Sequence, residues 1–413
     1  MAMKTSAAVF SALLLFMSCM AFAGDSPQFR GPNRDGKFDE QGLLKAWPEG
    51  GPAIAWIATG LGRGYSSVAA VQGKLYTTGM LEGEIGHLFI LGADGTVEKK
   101  IPYGKETTND QAPGSRSTPT LDGNRAYLMS ALGVVYCIDL DSGAKRWEVN
   151  VLERFNGSNN MWNLAESLLI DGGRVICTPG GKDAVVAALD KWTGETVWTT
   201  KGLQDRTSYC SPVIANHNGR RILLAETSKY ILGADAESGA LLWTFEQKVP
   251  WDIHAVPPVY SNGLVYYTAG DAVGGGALEM APDGTSVVSK WTNRDLDSLH
   301  HGVVLVDGYL YGTSSKRGRL VCVEMATGRT LWSAKEIKEC VVVYADGMLY
   351  TYEGPKTGIV SLVKAVPSGF ERTGQFTVEQ GTHQHWAHPT IAHGRLYIRH
   401  GDALIAYEIS VKK

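Results

Sequence analysis

Cysteine is scarce in this sequence, and the familiar motifs in which cysteine, serine or histidine carries chemistry are missing. The chain has 6 cysteines among 413 residues. No two of them are adjacent, and none lies in a Cys-x-x-Cys-His motif for covalent c-type haem. There is no Gly-x-Ser-x-Gly nucleophile motif and no His-Glu-x-x-His motif for zinc. The sequence therefore gives no support to a c-type cytochrome, a serine hydrolase or a zinc protease.

Excess charge and helical periodicity are missing as well. The chain has 39 basic and 42 acidic residues and a net charge of −3, so the composition does not favour nucleic acid or an anionic membrane surface as a partner. No segment after residue 23 shows the apolar spacing of a helix. No linker or low-complexity tract divides the chain. We expect a globular protein with little helix and no nucleic-acid partner.

The first 23 residues have the pattern of a secretory signal peptide. Lys4 is followed by an apolar core at 7–17 and by the small-residue cleavage pattern Ala21-Phe22-Ala23. The apolar run is too short to span a bilayer securely. We expect an exported protein, periplasmic or extracellular, cleaved after Ala23. The alternative is a lipoprotein anchored at Cys19, although Phe16-Met17-Ser18 before it matches a lipobox poorly.

One short pattern recurs four times after an apolar run: an acidic residue, Thr or Ser followed by Gly, and a Trp four residues beyond the Gly. The copies are Asp139…Trp147, Asp190…Trp198, Asp235…Trp243 and Glu324…Trp332. The carboxylate can accept backbone hydrogen bonds that open a turn, and Gly adopts the positive φ that such a turn needs. Each copy therefore predicts a β-hairpin whose second strand carries the Trp.

A second element, Gly-x-x-Tyr or a variant of it, precedes the hairpins and marks another turn between strands. Its copies begin at Gly73, Asn124, Gly173, Gly219, Gly263, Gly308, Gly347 and Gly394. Four strands recurring at roughly 40–50 residues are typical of propeller blades. We therefore predict an all-β, eight-bladed β-propeller of four-stranded antiparallel blades, forming a single domain over residues 24–413.

The last repeat ends near Tyr407 without a Trp-bearing strand, whereas the apolar segment 53–57 stands alone before the first full blade. We predict that this N-terminal strand joins the last blade and closes the ring, leaving few free sheet edges. A closed ring favours a monomer. The turn-rich lead-in at 27–36 is expected to pack along the outside of the ring.

Four long excursions lie just before the first strand of a blade, which is the innermost strand in propellers. They span 105–114, 152–163, 249–255 and 381–388. Because they would surround one mouth of the central channel, we expect a binding surface there.

Histidine, aromatic and arginine residues occur at this position in several blades. The predicted site consists of Tyr65, Arg116, Tyr209, His254, His300, His301, His385, Trp386 and His388. Glu339 falls at a comparable place, and the alternation of His383 and His385 would turn both to one side of a strand. Converging imidazoles could bind a metal or a polar ligand; alternatively, separate histidines cap separate loops. We assign no metal site and no catalytic residue.

The repeat tryptophans and the remaining cysteines have simpler interpretations. Since the tryptophans share one repeat position, each is expected to pack between neighbouring blades. The cysteines after residue 23 are Cys137, Cys177, Cys210, Cys322 and Cys340. We interpret them as small buried hydrophobic residues, with a disulfide or a reactive thiol as the alternative.

The repeat resembles the pyrroloquinoline-quinone (PQQ) propeller repeat over nearly the whole chain after residue 23. That superfamily includes quinoprotein alcohol dehydrogenases, which use PQQ and Ca²⁺, and non-catalytic propellers such as the lipoprotein scaffold of the outer-membrane β-barrel assembly machinery. In length, export signal and sparse cysteines the chain is more similar to the second kind. It also resembles secreted PQQ-like propellers of unassigned role, which share its segments 29–33, 64–67, 116–119 and 300–302.

The resemblance offers two functions. The dehydrogenases cover PQQ with a disulfide between adjacent cysteines, which this chain lacks, and their Glu, Asn and Asp ligands to Ca²⁺ cannot be assigned by motif. Only Trp251-Asp252 resembles a Trp-Asp pair of those enzymes. We therefore expect no cofactor and a binding or scaffold module for a protein segment or small polar ligand, associated with the outer membrane or its assembly machinery. The alternative is an oxidoreductase that uses PQQ and Ca²⁺.

Overall fold

The repeats fold into eight antiparallel sheets arranged around a central channel. The structure, a computed structural model, describes residues 24–411. The predicted signal peptide and the alternative anchor Cys19 lie outside these residues. The prediction of an eight-bladed β-propeller with four-stranded blades is confirmed.

Two short strands precede the blades, β1 (Lys37–Phe38) and β2 (Ile54–Ala58). From the innermost strand outward, blade 1 is β3 (Ala69–Val71), β4 (Lys74–Met80), β5 (Ile85–Leu91) and β6 (Val97–Lys105). Blade 2 is β7 (Thr120–Asp122), β8 (Arg125–Met129), β9 (Val134–Asp139) and β10 (Lys145–Asn150). Blade 3 is β11 (Leu169–Asp171), β12 (Arg174–Cys177), β13 (Ala187–Asp190) and β14 (Thr196–Thr199). Blade 4 is β15 (Val213–His217), β16 (Arg220–Glu226), β17 (Tyr230–Asp235) and β18 (Leu241–Glu246).

The second half of the ring has the same order. Blade 5 is β19 (Val259–Ser261), β20 (Leu264–Ala269), β21 (Gly274–Met280) and β22 (Val287–Asn293). Blade 6 is β23 (Val304–Val306), β24 (Tyr309–Ser314), β25 (Arg319–Glu324) and β26 (Thr330–Ala334). Blade 7 is β27 (Cys340–Ala345), β28 (Met348–Glu353), β29 (Ile359–Lys364) and β30 (Arg372–Thr377). Blade 8 is β31 (Thr390–Ala392), β32 (Arg395–His400) and β33 (Ala403–Glu408), with β2 as its outermost strand.

Helical structure is confined to single turns in the loops. These are the α-helix α1 (Val151–Arg154) and two 3-10 turns, Glu82–Glu84 and Pro250–Asp252. Among residues 24–411, none of the helical segments has the length and apolar character needed to cross a membrane.

The N-terminal strand closes the ring, as predicted. β2 pairs antiparallel with β33, with Ile54 opposite Tyr407 and Ala58 opposite Leu404. The core formed at this closure contains residues from both ends of the chain, including Phe89 of blade 1 and Tyr397 of blade 8. The last blade therefore packs against the first through one continuous apolar layer.

The repeat tryptophans pack between blades, also as predicted. The indole of Trp198 in blade 3 covers the turn glycine Gly239 of blade 4, where an added Cβ would lie 2.3 Å from the ring. Trp147 covers Gly194 in the same way, and its Nε1 donates to the carbonyl of Lys191 at 3.1 Å. Gly194 and Gly239 thus leave room for the indole of the preceding blade.

Two further tryptophans have this role although they lie outside the four copies of the motif. Trp291 of blade 5 covers Gly328, and Trp56 of the closing strand covers Gly95. Asp283 and Trp291 keep the spacing of the motif, but the glycine, Gly284, follows Asp283 directly, and this hid the first tryptophan. The second belongs to a strand that is distant in sequence from its blade. Contacts between an indole and a turn glycine therefore join more blades than the four copies of the motif indicate.

The prediction for the lead-in at 27–36 is wrong, because this segment lies inside the central channel and not outside the ring. Ser26 forms a β-bridge with Ala70 of the innermost strand β3. The chain then turns at 30–36, and β1 pairs in parallel with the innermost strand β27. The sequence shows that the segment is rich in turns, but not that eight blades leave a channel wide enough to hold it. We call residues 24–40 the plug.

Two buried arginines hold the plug in place. The guanidinium of Arg34 donates to the carbonyls of Ser167 (2.7 Å), Leu168 (2.9 Å) and Pro212 (3.0 Å), which precede the innermost strands of blades 3 and 4. Arg30 donates to the carbonyl of Val303 at 2.8 Å, before the innermost strand of blade 6. Burial lowers the pKa of both arginines to about 10, so they stay charged at neutral pH.

The cysteines are buried and unpaired, which confirms their interpretation as small hydrophobic residues. Among residues 24–411, no disulfide joins Cys137, Cys177, Cys210, Cys322 or Cys340. Cys137 and Cys322 lie in the third strand of their blades, β9 and β25, within the cores shared with neighbouring blades.

The contact between indole and glycine can be tested with a matched pair of substitutions. Gly239→Ala should lower the free energy of unfolding by about 1–3 kcal/mol more than Gly219→Ala, because the added methyl group clashes with Trp198. Gly219 also has a positive φ, 85°, but no atom lies within 4 Å of its added Cβ, so it reports backbone strain alone. Urea denaturation measures both; equal losses would contradict the interpretation.

A second pair of variants tests the plug. Arg34→Met leaves the buried carbonyls of Ser167 and Pro212 without a donor, whereas that of Leu168 keeps the hydroxyl of Thr120. At about 1–3 kcal/mol for each unsatisfied group the total loss should reach at least about 2 kcal/mol. Arg317→Met removes an exposed ion pair with Asp295 and should cost at most about 1 kcal/mol. Denaturant unfolding followed by tryptophan fluorescence compares the two. Similar small losses would show that the plug does not contribute to the stability of the ring.

Candidate functional site

A cavity of about 380 Å³ opens at one mouth of the central channel. We call it the mouth pocket. Its walls come from the segments that precede the innermost strands of every blade except blade 7, and Phe29 of the plug is the only lining residue from outside these segments. The lining residues are Phe29, Tyr65, Gln111, Ala112, Arg116, Trp162, Ala165, Tyr209, Ser211, Ile253, Ala255, Leu299, His300, Trp386 and His388. All four predicted excursions contribute to it.

Aromatic rings form opposite walls of the mouth pocket. On one side Trp386 lies between Tyr65, at 5.3 Å between ring centroids, and His300, at 5.5 Å. On the other side Trp162 packs against Tyr209 at 6.3 Å. These rings are only partly buried, so their free faces are available to a ligand that is apolar or aromatic itself.

Two hydrogen-bond donors in the mouth pocket are incompletely used. Arg116 donates through its terminal nitrogens to the carbonyls of Asn163, at 3.2 Å, and Ala112, while its buried Nε has no partner. The buried Nε2 of His300 has no partner either. Burial lowers the pKa of His300 to about 4, so its imidazole is neutral at physiological pH. Both groups could donate to a carbonyl or carboxylate oxygen of a ligand.

His388 connects the mouth pocket to the plug. Its Nδ1 lies 3.3 Å from Nη1 of Arg30, and its Nε2 lies 3.3 Å from the carbonyl of His300. Since an arginine can only donate, Nδ1 of His388 is the acceptor and Nε2 carries the proton. Burial first, and then the charge of Arg30, holds the pKa of His388 well below its usual range. The imidazole is therefore fixed as a neutral bridge between plug and wall.

The rim of the mouth pocket is apolar on the side of blades 3 and 5. Met161 and Trp251 are 60% and 66% exposed. Trp251 packs edge-on against Trp162 at 6.5 Å between ring centroids. An exposed apolar rim around an aromatic cavity is typical of surfaces that bind another protein.

Six of the nine predicted site residues meet in the mouth pocket. They are Tyr65, Arg116, Tyr209, His300, Trp386 and His388. The structure places these side chains together, and their role in binding stays a prediction.

The other three predicted residues, His254, His301 and His385, do not line the mouth pocket, so the expectation that they would is wrong. His254 is fully buried and pairs with the Ser228 carbonyl and with Oε1 of Gln247, both at 3.2 Å. His301 is buried beside Glu339. His254 thus supports its loop from behind the pocket, which is the alternative that the sequence left open, whereas the ring of His301 lies behind the pocket without a hydrogen bond.

His385 contacts Tyr352 through Nδ1 and stacks on His400, with 3.7 Å between ring centroids. The expected strand alternation of His383 and His385 is wrong as well. Residues 381–388 are irregular, and His383 is exposed with a φ of 67°. Side chains alternate regularly only in a strand. In this irregular loop the rings of His383 and His385 therefore do not lie on one side.

Several pocket residues were not predicted, notably Phe29, Trp162 and Leu299. Phe29 was missed because the lead-in was placed outside the ring. Trp162 carried a usable signal, since it is an aromatic residue at the end of a predicted excursion. Leu299 is an ordinary apolar residue in sequence, and only its place at the mouth distinguishes it.

The side chains of the mouth pocket do not suit a metal ion. No Asp or Glu is among its lining residues. Across the described part of the chain, no three His, Cys, Asp or Glu side chains lie in an arrangement that could hold a metal. The donor set instead suits an apolar or aromatic group with one polar end.

Comparison with known proteins gives a family match and several relatives. Residues 95–334 match the family described as outer membrane protein assembly factor BamB. The protein of that name from Yersinia pestis is 26% identical over 229 residues, which cover 53% of this chain and 56% of the relative. The one from Kangiella koreensis is 27% identical over 181 residues, or 43% of this chain and 41% of the relative. The matches thus span about half the length of these curated relatives.

Solved structures share the fold. The crystal structure of BamB from Moraxella catarrhalis has a TM-score of 0.63 and 16% identity, covering 87% of this chain and 100% of that one. A quinohemoprotein alcohol dehydrogenase from Comamonas testosteroni has a TM-score of 0.65 and 13% identity, covering 94% of this chain and 81% of the enzyme. At these identities the likeness concerns the fold alone.

Proposed function

Because the chain belongs to the family described as outer membrane protein assembly factor BamB, we propose that it is an exported, monomeric scaffold propeller. In this proposal the mouth pocket holds a segment of a partner protein. The names of its relatives suggest that the partner takes part in outer membrane assembly. Export and a periplasmic or extracellular location belong to the same proposal.

The observation that carries the proposal is the aromatic-walled mouth pocket with its exposed apolar rim. A volume of about 380 Å³ suits one or two large side chains of a partner. Tyr, Trp and Arg line it, and these residue types dominate the binding energy of protein interfaces. The idle donors on Arg116 and His300 could receive a backbone carbonyl of the bound segment, which supports a peptide over a purely apolar ligand.

The plug supports a docking role rather than passage through the channel. Phe29 lies at the inner end of the mouth pocket, and the two plug arginines bind backbone carbonyls on several blades. A ligand entering at the mouth would therefore meet a closed floor. Such a recess can hold a side chain in a defined position.

The residues present do not fit the PQQ and Ca²⁺ alternative. A Ca²⁺ ion prefers six to eight oxygen ligands that include carboxylates, whereas the mouth pocket has no carboxylate among its lining side chains. The cysteines of the described chain lie buried in separate places, so no adjacent pair can cover a flat cofactor. We therefore assign no redox step to this site.

Site-specific photocrosslinking tests the scaffold proposal. A photoreactive p-benzoylphenylalanine replaces Met161 at the rim of the mouth pocket or, as control, Trp192, which is 53% exposed on a turn at the opposite end of the ring. In cells that export the protein, the probe at position 161 should yield a protein adduct that position 192 does not. The adduct should be lost in a folded Arg116→Ala, Trp386→Ala variant. Equal adducts from both positions, or none from either, would contradict the proposal.

A thermal melt of the purified protein with PQQ, with and without Ca²⁺, tests the alternative. A ligand at 100 times its dissociation constant adds about 2.7 kcal/mol of stability, enough to raise the melting temperature measurably. We expect no shift. A saturable rise in melting temperature that requires Ca²⁺ would show that the protein binds the cofactor despite the lack of carboxylates in the mouth pocket, and it would favour an oxidoreductase.

A further inference from the structure

Three carboxylates at the mouth end of blades 5, 6 and 7 have no cationic partner within the described chain. They belong to Asp271, Asp297 and Glu339, and we call them the acidic recess. We propose that the acidic recess binds a lysine or arginine of the same protein segment whose apolar side chain enters the mouth pocket. This inference rests on the proposed function and specifies the chemistry of the partner.

The acidic recess contains a buried carboxylate that is only half used. Asp297 is 1% exposed; its Oδ2 accepts the N–H of Ala272 at 2.9 Å, and its Oδ1 has no partner. Leaving a buried carboxylate oxygen without a donor is costly. A cationic side chain inserted from the mouth would supply both the missing donor and the missing charge.

A buried histidine points at the same place without neutralising it. His301 is fully buried, neither of its ring nitrogens makes a hydrogen bond, and its Nδ1 lies 3.4 Å from Oε1 of Glu339. Burial holds the pKa of His301 well below its usual range, so the ring is neutral. Burial, followed by the charges of Asp297 and Asp271, raises the pKa of Glu339 to about 7. The group thus lacks positive charge.

Two arginines in loops at this mouth form ion pairs with other carboxylates. Arg317 pairs with Asp295, and Arg206 pairs with Asp252. In residues 24–411, the ion pairs of Lys and Arg include none with the three recess carboxylates; the one contact of this kind is that of neutral His301. The recess therefore keeps an uncompensated negative potential that would attract a basic group.

The acidic recess and the mouth pocket share a wall. Leu299 and His300 line the mouth pocket, and only Ser298 separates them from Asp297 in the sequence. The rings of His300 and His301 lie 4.0 Å apart, so one faces the pocket while the other faces Glu339. A single short segment could therefore reach both places, with an apolar side chain in the mouth pocket and a basic side chain in the acidic recess.

An organic cation fits the acidic recess better than a metal ion does. The three carboxylates and His301 do not form a ligand set that could hold a metal. A guanidinium or ammonium group has several donors on an extended stem and can contact carboxylates that are too far apart to ligate one ion.

Selection from a random dodecapeptide library displayed on phage tests the inference without a known partner. The targets are the wild-type protein, the recess variant Asp271→Asn/Glu339→Gln, the pocket variant Trp386→Ala, and the control Glu195→Gln, which removes an exposed charge on a turn at the far end of the ring. Circular dichroism melts confirm that each is folded. We expect wild type and control to select peptides that combine a large apolar residue with Lys or Arg.

The variants separate the two proposals. The recess variant should still select apolar residues but lose the preference for Lys and Arg, and the best wild-type peptide should bind it about tenfold more weakly, ~1.4 kcal/mol. A preference for Lys and Arg that is the same on wild type and recess variant overturns this inference and leaves the proposed function standing. Failure to select any peptide on wild type overturns both. The pocket variant could instead select peptides that contain Lys or Arg but no large apolar residue. That result would show that the cation site acts separately, and it would overturn the inference that one segment occupies both places.

Discussion

Every blade of this protein depends on its neighbours, because a four-stranded sheet with two apolar faces cannot cover either face alone. The pairing of β2 with β33 is therefore the constraint on which the remaining structure depends. Without it, the last blade would lack its outer strand and the first core between blades would be open. Tryptophans of the outer strands extend the same principle, since the indoles of Trp56, Trp147, Trp198 and Trp291 each cover the turn glycine of the next blade.

The plug closes the structure in a second way, because it fills the central channel along the axis of the ring. Its arginines take no partner from acidic side chains and instead collect backbone carbonyls from the starts of innermost strands. Those of Ser167, Pro212 and Val303 would otherwise remain unsatisfied, whereas that of Leu168 also accepts from the hydroxyl of Thr120. One short segment thereby links blades that are far apart in sequence and gives the mouth pocket its floor.

The mouth pocket and the acidic recess divide recognition into an apolar part and a charged part. The pocket offers free aromatic faces and two idle donors, whereas the recess offers carboxylates whose charge no neighbour balances. Apolar contact would supply most of the affinity, and charge would select among partners and orient them. The propeller supports both features on loops held by eight rigid sheets.

The sequence alone determined the blades, their number and the closing strand, because turn glycines, strand periodicity and the spacing of Asp, Gly and Trp are local properties of the chain. It also indicated which loops reach the mouth, since their position before innermost strands follows from the repeat. It could not decide the direction of individual side chains in irregular loops, so it assigned His254, His301 and His385 to a pocket that they do not line. The location of the plug, the floor made by Phe29 and the contact between His301 and Glu339 were decided only by the tertiary structure. Each depends on contacts between residues of distant blades around the channel axis, and local sequence patterns do not show such contacts.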